Sequence, residues 1–320
     1  MTIVYVPHRI YLNSNLFLLI FSDIWQSLSK ARRQHFVPRF YLKNFGDPKI
    51  FCYDKSNDKV VKTNVNDIAL VRNFYELENL TSGEIEKFLS KKESKFSKAY
   101  YEVIDRKDIS KLTKESSYHF FMFIATQLVR TSGFRLEIEN MLSKAFDKMY
   151  SKLANKHLKK KGNKLAGRVR VSPDPEVAKL MHTQMILEQV PEFAHILSKR
   201  YWMIDENLND IPLWTSDNPF VLRNELNYSG NLGLMCLGIE IHFPLTSNLL
   251  LTSFDLRTHQ LRRGYVGTLE RIHLIHENML QVQASTRYIY ASSDNDFDRA
   301  RKIISDYPQF KSRIQRLQVY

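Results

Sequence analysis

Two short stretches of this chain gather side chains that can move a proton or hold an anion. The first is Gln34-His35-Phe36-Val37-Pro38-Arg39. Histidine changes charge near neutrality, so His35 can act as general acid or base, or bind a phosphate once charged. Val37 precedes a proline and is pushed toward extended backbone, while Pro38 suits the first turn of a helix. His35 is thereby placed just before a helix start, flanked by Arg32, Arg33 and Arg39. The second stretch is Thr215-Ser216-Asp217-Asn218-Pro219-Phe220. Pro219 keeps Asn218 out of the helical region and stiffens the turn. Asp217 can then serve as base, as orienter of His35 or as a cation ligand. Plainer roles compete: a histidine that ties down backbone, and Asp and Asn as ordinary turn residues.

The elements that must position these residues follow from periodicity. Phe40 to Phe45 predicts a short helical segment with Tyr41, Leu42 and Phe45 facing a core, stopped by Gly46-Asp47-Pro48. Lys49–Asp54 and Lys59–Thr63 predict a hairpin around Lys55-Ser56-Asn57-Asp58. From Ser82 the apolar spacing becomes helical, and Glu86 and Glu93 fall on one face two turns apart. That pair suits a cation or a solvated face, with Lys87, Lys91, Lys92 and Lys95 near enough to neutralise it. Lys114 to Arg130 predicts a helix buried on most sides, so Gln127 and Arg130 at its end need partners. Arg130 suits a phosphate or carboxylate in a bidentate fork, Glu93 included. With Arg39, these two residues are the candidate substrate-binding groups.

The helix expected from Phe134 runs into a basic series, Lys152 to Arg170, with no acidic residue inside it. Its glycines predict a mobile loop, and Lys159, Lys160 and Lys161 suit a nucleic-acid backbone without reading sequence. A merely solvated linker is the competing reading. Ser172-Pro173-Asp174-Pro175 opens a helix to about Lys199, after which strands dominate: 201–204, 213–215, 239–243 and 249–252. His242 lies on one of them, within reach of the same cleft. A helix over 268–279 carries His273, His276 and Glu277, but without an HExxH pattern or an evident third ligand no zinc site is assigned. A strand over 287–290 and a helix capped by Asp294 or Asn295 complete the chain.

The pattern QHFVPRFYLKNF, followed by a hairpin and later by TSDNPF and FPLT, resembles a family known as domain of unknown function 4238. The resemblance runs from about Arg33 to about Tyr290. It implies site roles for His35 and Asp217 and names no substrate or activity. Residues 1–31 lie outside it, and their apolar run Leu16–Phe21 is too short to span a bilayer. An upstream start codon, an accessory helix and a leader all remain open for this extension.

Composition sets the class. The 320 residues are 43% hydrophobic, ordinary for a globular protein, and suffice for one large domain or two packed lobes. Cys52 and Cys236 fit no metal or disulfide framework, which points to a reducing, cytoplasmic setting. A formal charge of +13 favours polyanionic partners, RNA or DNA, through segment 152–170. No Walker A, GxGxxG, GxSxG or kinase pattern occurs. The expected architecture is α+β: a helical lobe over about 82–199 against a mainly antiparallel sheet over about 200–291, within a domain spanning 32–306 and followed by a basic tail, 307–320. The expected function is action on nucleic acid or a phosphorylated substrate, with His35, Asp217 and Asn218 as catalytic residues. A divalent cation such as magnesium is compatible with that site, although no metal ligand set is assigned. The alternative is a non-catalytic nucleic-acid-binding or regulatory protein.

Overall fold

The structure, a computed structural model, describes residues 3–5, 33–72, 74–75, 84–224, 226, 233–258, 266–294 and 297–311. The Leu16–Phe21 run, Arg32, Ser82, Asn295 and the tail past 311 lie outside the described residues. Strand β1 (Ile3–Tyr5) runs parallel to a later short strand, and β2 (Arg33–His35) leads into helix α1 (Arg39–Leu42) and a 3-10 turn at Lys43–Phe45. The hairpin β3 (Lys49–Asp54) and β4 (Lys59–Asn64) follows, then β5 (Leu70–Arg72), which pairs antiparallel with β2. The helical series is α2 (Glu84–Arg106), α3 (Lys114–Val129), α4 (Ser132–Phe146) and α5 (Lys152–Lys160). After β6 (Arg170–Ser172), the partner of β1, come α6 (Pro175–Gln184) and α7 (Val190–Ser198).

The second half supplies β7 (Tyr201–Glu206), β8 (Thr215–Ser216), β9 (Val221–Asn224), β10 (Ile239–Pro244), β11 (Leu249–Phe254) and β12 (Val266–Thr268). Helix α8 (Arg271–Ala284), β13 (Tyr288–Ala291) and α9 (Phe297–Asp306) close the chain. Two larger sheets result. One has the order β12-β7-β11-β10-β9, antiparallel except for the β12–β7 pair. The other, β4-β3-β13-β8, is antiparallel throughout and joins the early hairpin to strands from the second half. The fold is therefore α+β. No helix among the described residues is long and apolar enough to cross a membrane.

Helix α3 is buried along nearly its whole circumference because it lies between neighbours: α2 and α7 pack on it, and its Phe123 meets Phe243 of β10. One core thus continues from the helices into the five-stranded sheet. At its centre sits Tyr41, fully buried, whose hydroxyl donates to the Pro244 carbonyl at 2.8 Å and lies 2.7 Å from Thr215 Oγ1. A buried hydroxyl without partners is costly, so this bond fixes where three distant segments meet: α1, β8 and the end of β10. Tyr100 of α2 likewise donates to the Leu245 carbonyl. The turn after Phe45 needs glycine, since a Cβ at Gly46 would stand 2.5 Å from the Lys49 carbonyl oxygen.

The basic segment after α5 forms a set of turns bridged by one side chain. Asn155 Oδ1 accepts from the amides of Gly167 and Val169, and its Nδ2 donates to the carbonyls of Ser151 and Val169. Lys159 and Lys160, at the end of α5, and Lys161 just after it are exposed.

Candidate functional site

Extended β2 and the proline-opened α1 put His35 at a corner between them. Its ring bonds to the Asn66 backbone, and its Nε2 has no partner within the protein, so the bonded nitrogen is Nδ1. An Nδ1–H donated to the Asn66 carbonyl leaves Nε2 as a lone pair. Burial first, and the Arg39 charge second, hold the ring down to about 4, so it is neutral at neutral pH.

Arg130 ends α3 with its side chain almost wholly buried. It reaches across to donate to the His35 carbonyl oxygen at 2.5 Å and to Glu93 Oε1 at 3.2 Å. Glu93 is the carboxylate on α2 that faces this corner together with Glu86, whose own pKa is pushed up chiefly by burial, with Arg130 opposing. Gln127, one turn before Arg130 on the same helix face, is fully buried. Gln34, also fully buried, uses Oε1 to accept the Tyr75 amide at 2.8 Å, and the Tyr75 hydroxyl donates to the Arg130 carbonyl.

This corner leaves an unusual set of polar atoms without partners. Buried polar groups in folded proteins are nearly always hydrogen-bonded. Among the described residues nine buried side-chain nitrogens or oxygens have no partner, and six of them belong here: Gln34 Nε2, His35 Nε2, Glu86 Oε2, both polar atoms of Gln127, and Arg130 Nε. Arg39 beside the corner is exposed, and Glu93 is about one-third exposed.

Asp217 and Asn218 are placed differently. Asp217 is 2% exposed, and its carboxylate accepts the backbone amides of Thr286, Arg287 and Tyr288 at 2.7 to 3.0 Å. Burial pushes its pKa up while those three donors oppose it. The carboxylate thus shapes the loop entering β13. Asn218 Oδ1 accepts from Thr131 Oγ1 at 2.7 Å, and its Nδ2 donates to the Ala284 carbonyl. Thr131 is the N-cap of α4 and the neighbour of Arg130, so Asn218 locks the α3–α4 corner from behind. No hydrogen bond joins either residue to His35 among the described residues; Asn218 reaches the site only through that corner.

A second polar cluster lies between the five-stranded sheet and α8. Strand β10 alternates, with Ile239, Ile241 and Phe243 in the main core and Glu240 and His242 on the other face. His242 Nδ1 is 3.1 Å from both oxygens of Glu277 on α8, and its Nε2 is 3.4 Å from Glu240 Oε2. Arg223 donates to that same Glu240 oxygen at 3.3 Å. Burial disfavours the imidazolium, but Glu277 and Glu240 together outweigh it and raise the ring to about 9. His242 therefore belongs to this cluster and not to the His35 corner. Among the described residues no group of three or more His, Cys, Asp or Glu side chains is placed to hold a metal ion.

Gln34, Tyr75 and the His242–Glu277 pair were missed in the sequence. The available signal for the latter was a polar residue at every second position of an otherwise apolar strand.

Fold and corner together define an α+β protein with a buried polar corner where β2, α2 and α3 meet. Its sequence belongs to the family described as protein of unknown function DUF4238, which matches residues 33–295. Neither a curated protein nor a solved structure matches the chain.

Proposed function

We propose that the His35 corner binds and turns over a phosphorylated substrate, nucleic acid included, by general acid–base chemistry. The observation that carries this is the convergence of six buried, partnerless polar atoms around a neutral histidine. In this reading Arg39 and Arg130 Nε hold the anionic group, and the Gln34 and Gln127 amides orient it. His35 Nε2 accepts the proton of the attacking hydroxyl or water. Glu86, raised by burial toward its acid form, returns a proton to the leaving oxygen. A pKa near 4 makes His35 a weak base in the free protein, but a bound phosphate beside it favours the imidazolium and raises that value. Asn218 is a positioning residue for Arg130, and Asp217 supports the loop behind it. Exposed Lys159, Lys160 and Lys161 extend the positive surface available to a strand.

One observation favours a binding or regulatory role instead: two of the three Arg130 nitrogens are already committed to Glu93 and the His35 carbonyl. The two readings separate in a cleavage and binding assay on mixed RNA and DNA and on a small phosphodiester, with and without magnesium. Cleavage lost in His35→Ala with binding kept supports the enzyme. Binding by wild type without cleavage under any condition supports the regulatory role, and no binding at low salt refutes both.

A further inference from the structure

A cleft of about 300 Å³ opens between α2 and α3, on the side of α2 away from Glu86 and Glu93. Successive positions 91, 92 and 95 of a helix lie within about one turn, so three ammonium groups are gathered there. The sequence suggested that these lysines neutralise Glu86 and Glu93; the structure instead gives Glu93 to Arg130 and turns the lysines into the cleft. None of the three has a carboxylate partner among the described residues. His119, which also lines the cleft, has Glu115 at 3.8 Å from its Nε2, and that carboxylate is 79% exposed. Like charges so close repel, and an anion between them relieves the repulsion.

The rest of the lining is aromatic and apolar. Phe88 comes from α2 and Tyr118 from α3, while Phe96 and Met122 form a buried floor. Lys92 already lies over the Phe88 ring at 5.0 Å, and Tyr118, 55% exposed, packs at a steep angle against the His119 ring at 5.2 Å. Lysines beside exposed rings are what a phosphate attached to a planar base requires: charge for the backbone, a π-face for the base. A volume of this size is at the small end of ligand pockets and suits one such unit.

We propose that this cleft binds a single nucleotide unit, free or within a single strand, with Lys91, Lys92 and Lys95 on the phosphate and Tyr118 stacked on the base. None of its residues belongs to the His35 corner, so the two proposals stand or fall separately.

The test uses the full chain with three probes: ATP, a fluorescein-labelled deoxythymidine pentamer and inorganic tripolyphosphate. ATP and the pentamer are expected to bind, with tripolyphosphate at least about tenfold weaker because it cannot stack. Tighter binding of the pentamer than of ATP identifies a strand as the source, and the reverse identifies a free nucleotide. The triple variant Lys91→Gln, Lys92→Gln, Lys95→Gln and the single variant Tyr118→Ala should each lose roughly tenfold in affinity or more. All four side chains lie on the surface, and thermal melts confirm that the variants fold. Raising salt from about 50 to about 200 mM should weaken wild-type binding roughly tenfold. Equal binding of tripolyphosphate and ATP, unaltered affinity in both variants, or no binding of either nucleotide probe at low salt would each overturn the proposal.

Discussion

The buried His242 gives the fold a stability that depends on pH above neutrality. Its ring is 4% exposed and stands between Glu277 and Glu240, which together outweigh burial and lift it to about 9, against about 6.5 for the unfolded chain. A folded-state pKa above the unfolded one means stability fully present below about pH 6.5 and lost as pH rises through 9. A shift of about 2.5 units corresponds to about 3 kcal/mol, or on the order of 5–10 °C in Tm for a chain of this size. The perturbation is Glu277→Gln, which keeps the side chain's shape and removes the charge that most raises the ring. Urea unfolding at pH 6.5, 7.5, 8.5 and 9 should show wild type losing about 3 kcal/mol over the range and the variant losing less than half of that. Identical pH slopes for the two proteins would refute the reasoning, because the Glu277–imidazolium contact would then contribute nothing. On the acid side the sign reverses: burial holds His182 near 3 and His35 near 4, so both erode stability as pH falls below about 6.5.

Further outcomes follow from the same contacts. In an NMR titration the His35 ring should show an apparent pKa near 4, rising when phosphate is added; no movement would argue against an anion site beside it. Tyr41→Phe should cost about 1–3 kcal/mol in urea unfolding, and a cycle with Thr215→Val should show the two are coupled. Asp217→Asn should lose about 2–4 kcal/mol, since an amide nitrogen would face backbone donors. Unchanged stability with lost cleavage would return Asp217 to the catalytic set. Replacing Lys159, Lys160 and Lys161 with glutamine should weaken strand binding about equally for all sequences and flatten its salt dependence.

How much was legible in the sequence differs by element. The hairpin at Lys49–Thr63 and the helices beginning near 84 and 114 follow from alternation and helical spacing, which are local signals. Strands β2, β5 and β12 have only three residues each and exist because a neighbour pairs with them, so no local pattern announces them. The Arg130–Glu93 pair was among the partners the sequence suggested, since a buried arginine needs a carboxylate and few lie nearby. The role of Asp217 was not legible: a Ser-Asp-Asn-Pro turn has the same sequence whether its carboxylate faces a cleft or three amides of a loop seventy residues away. Such pairings are properties of the assembled fold, as is the division of α2 into an acidic face and a lysine face.

The early hairpin is tied to the far end of the chain. Strand β3 has β4 on one edge and β13 on the other, in the register Tyr290 against Cys52. Lys55, beside that edge, buries its ammonium against the carbonyls of Val282, Ser285 and Phe310. A ribosome making about 5–20 residues per second leaves roughly 10–50 s between synthesis of β3 and arrival of β13. Throughout that interval β3 lacks its β13 neighbour, and such unpaired edges recruit other strands. The nascent chain therefore waits as an open template, and its folding yield should depend on how fast translation ends, or on a chaperone that covers the first strands until the last ones emerge.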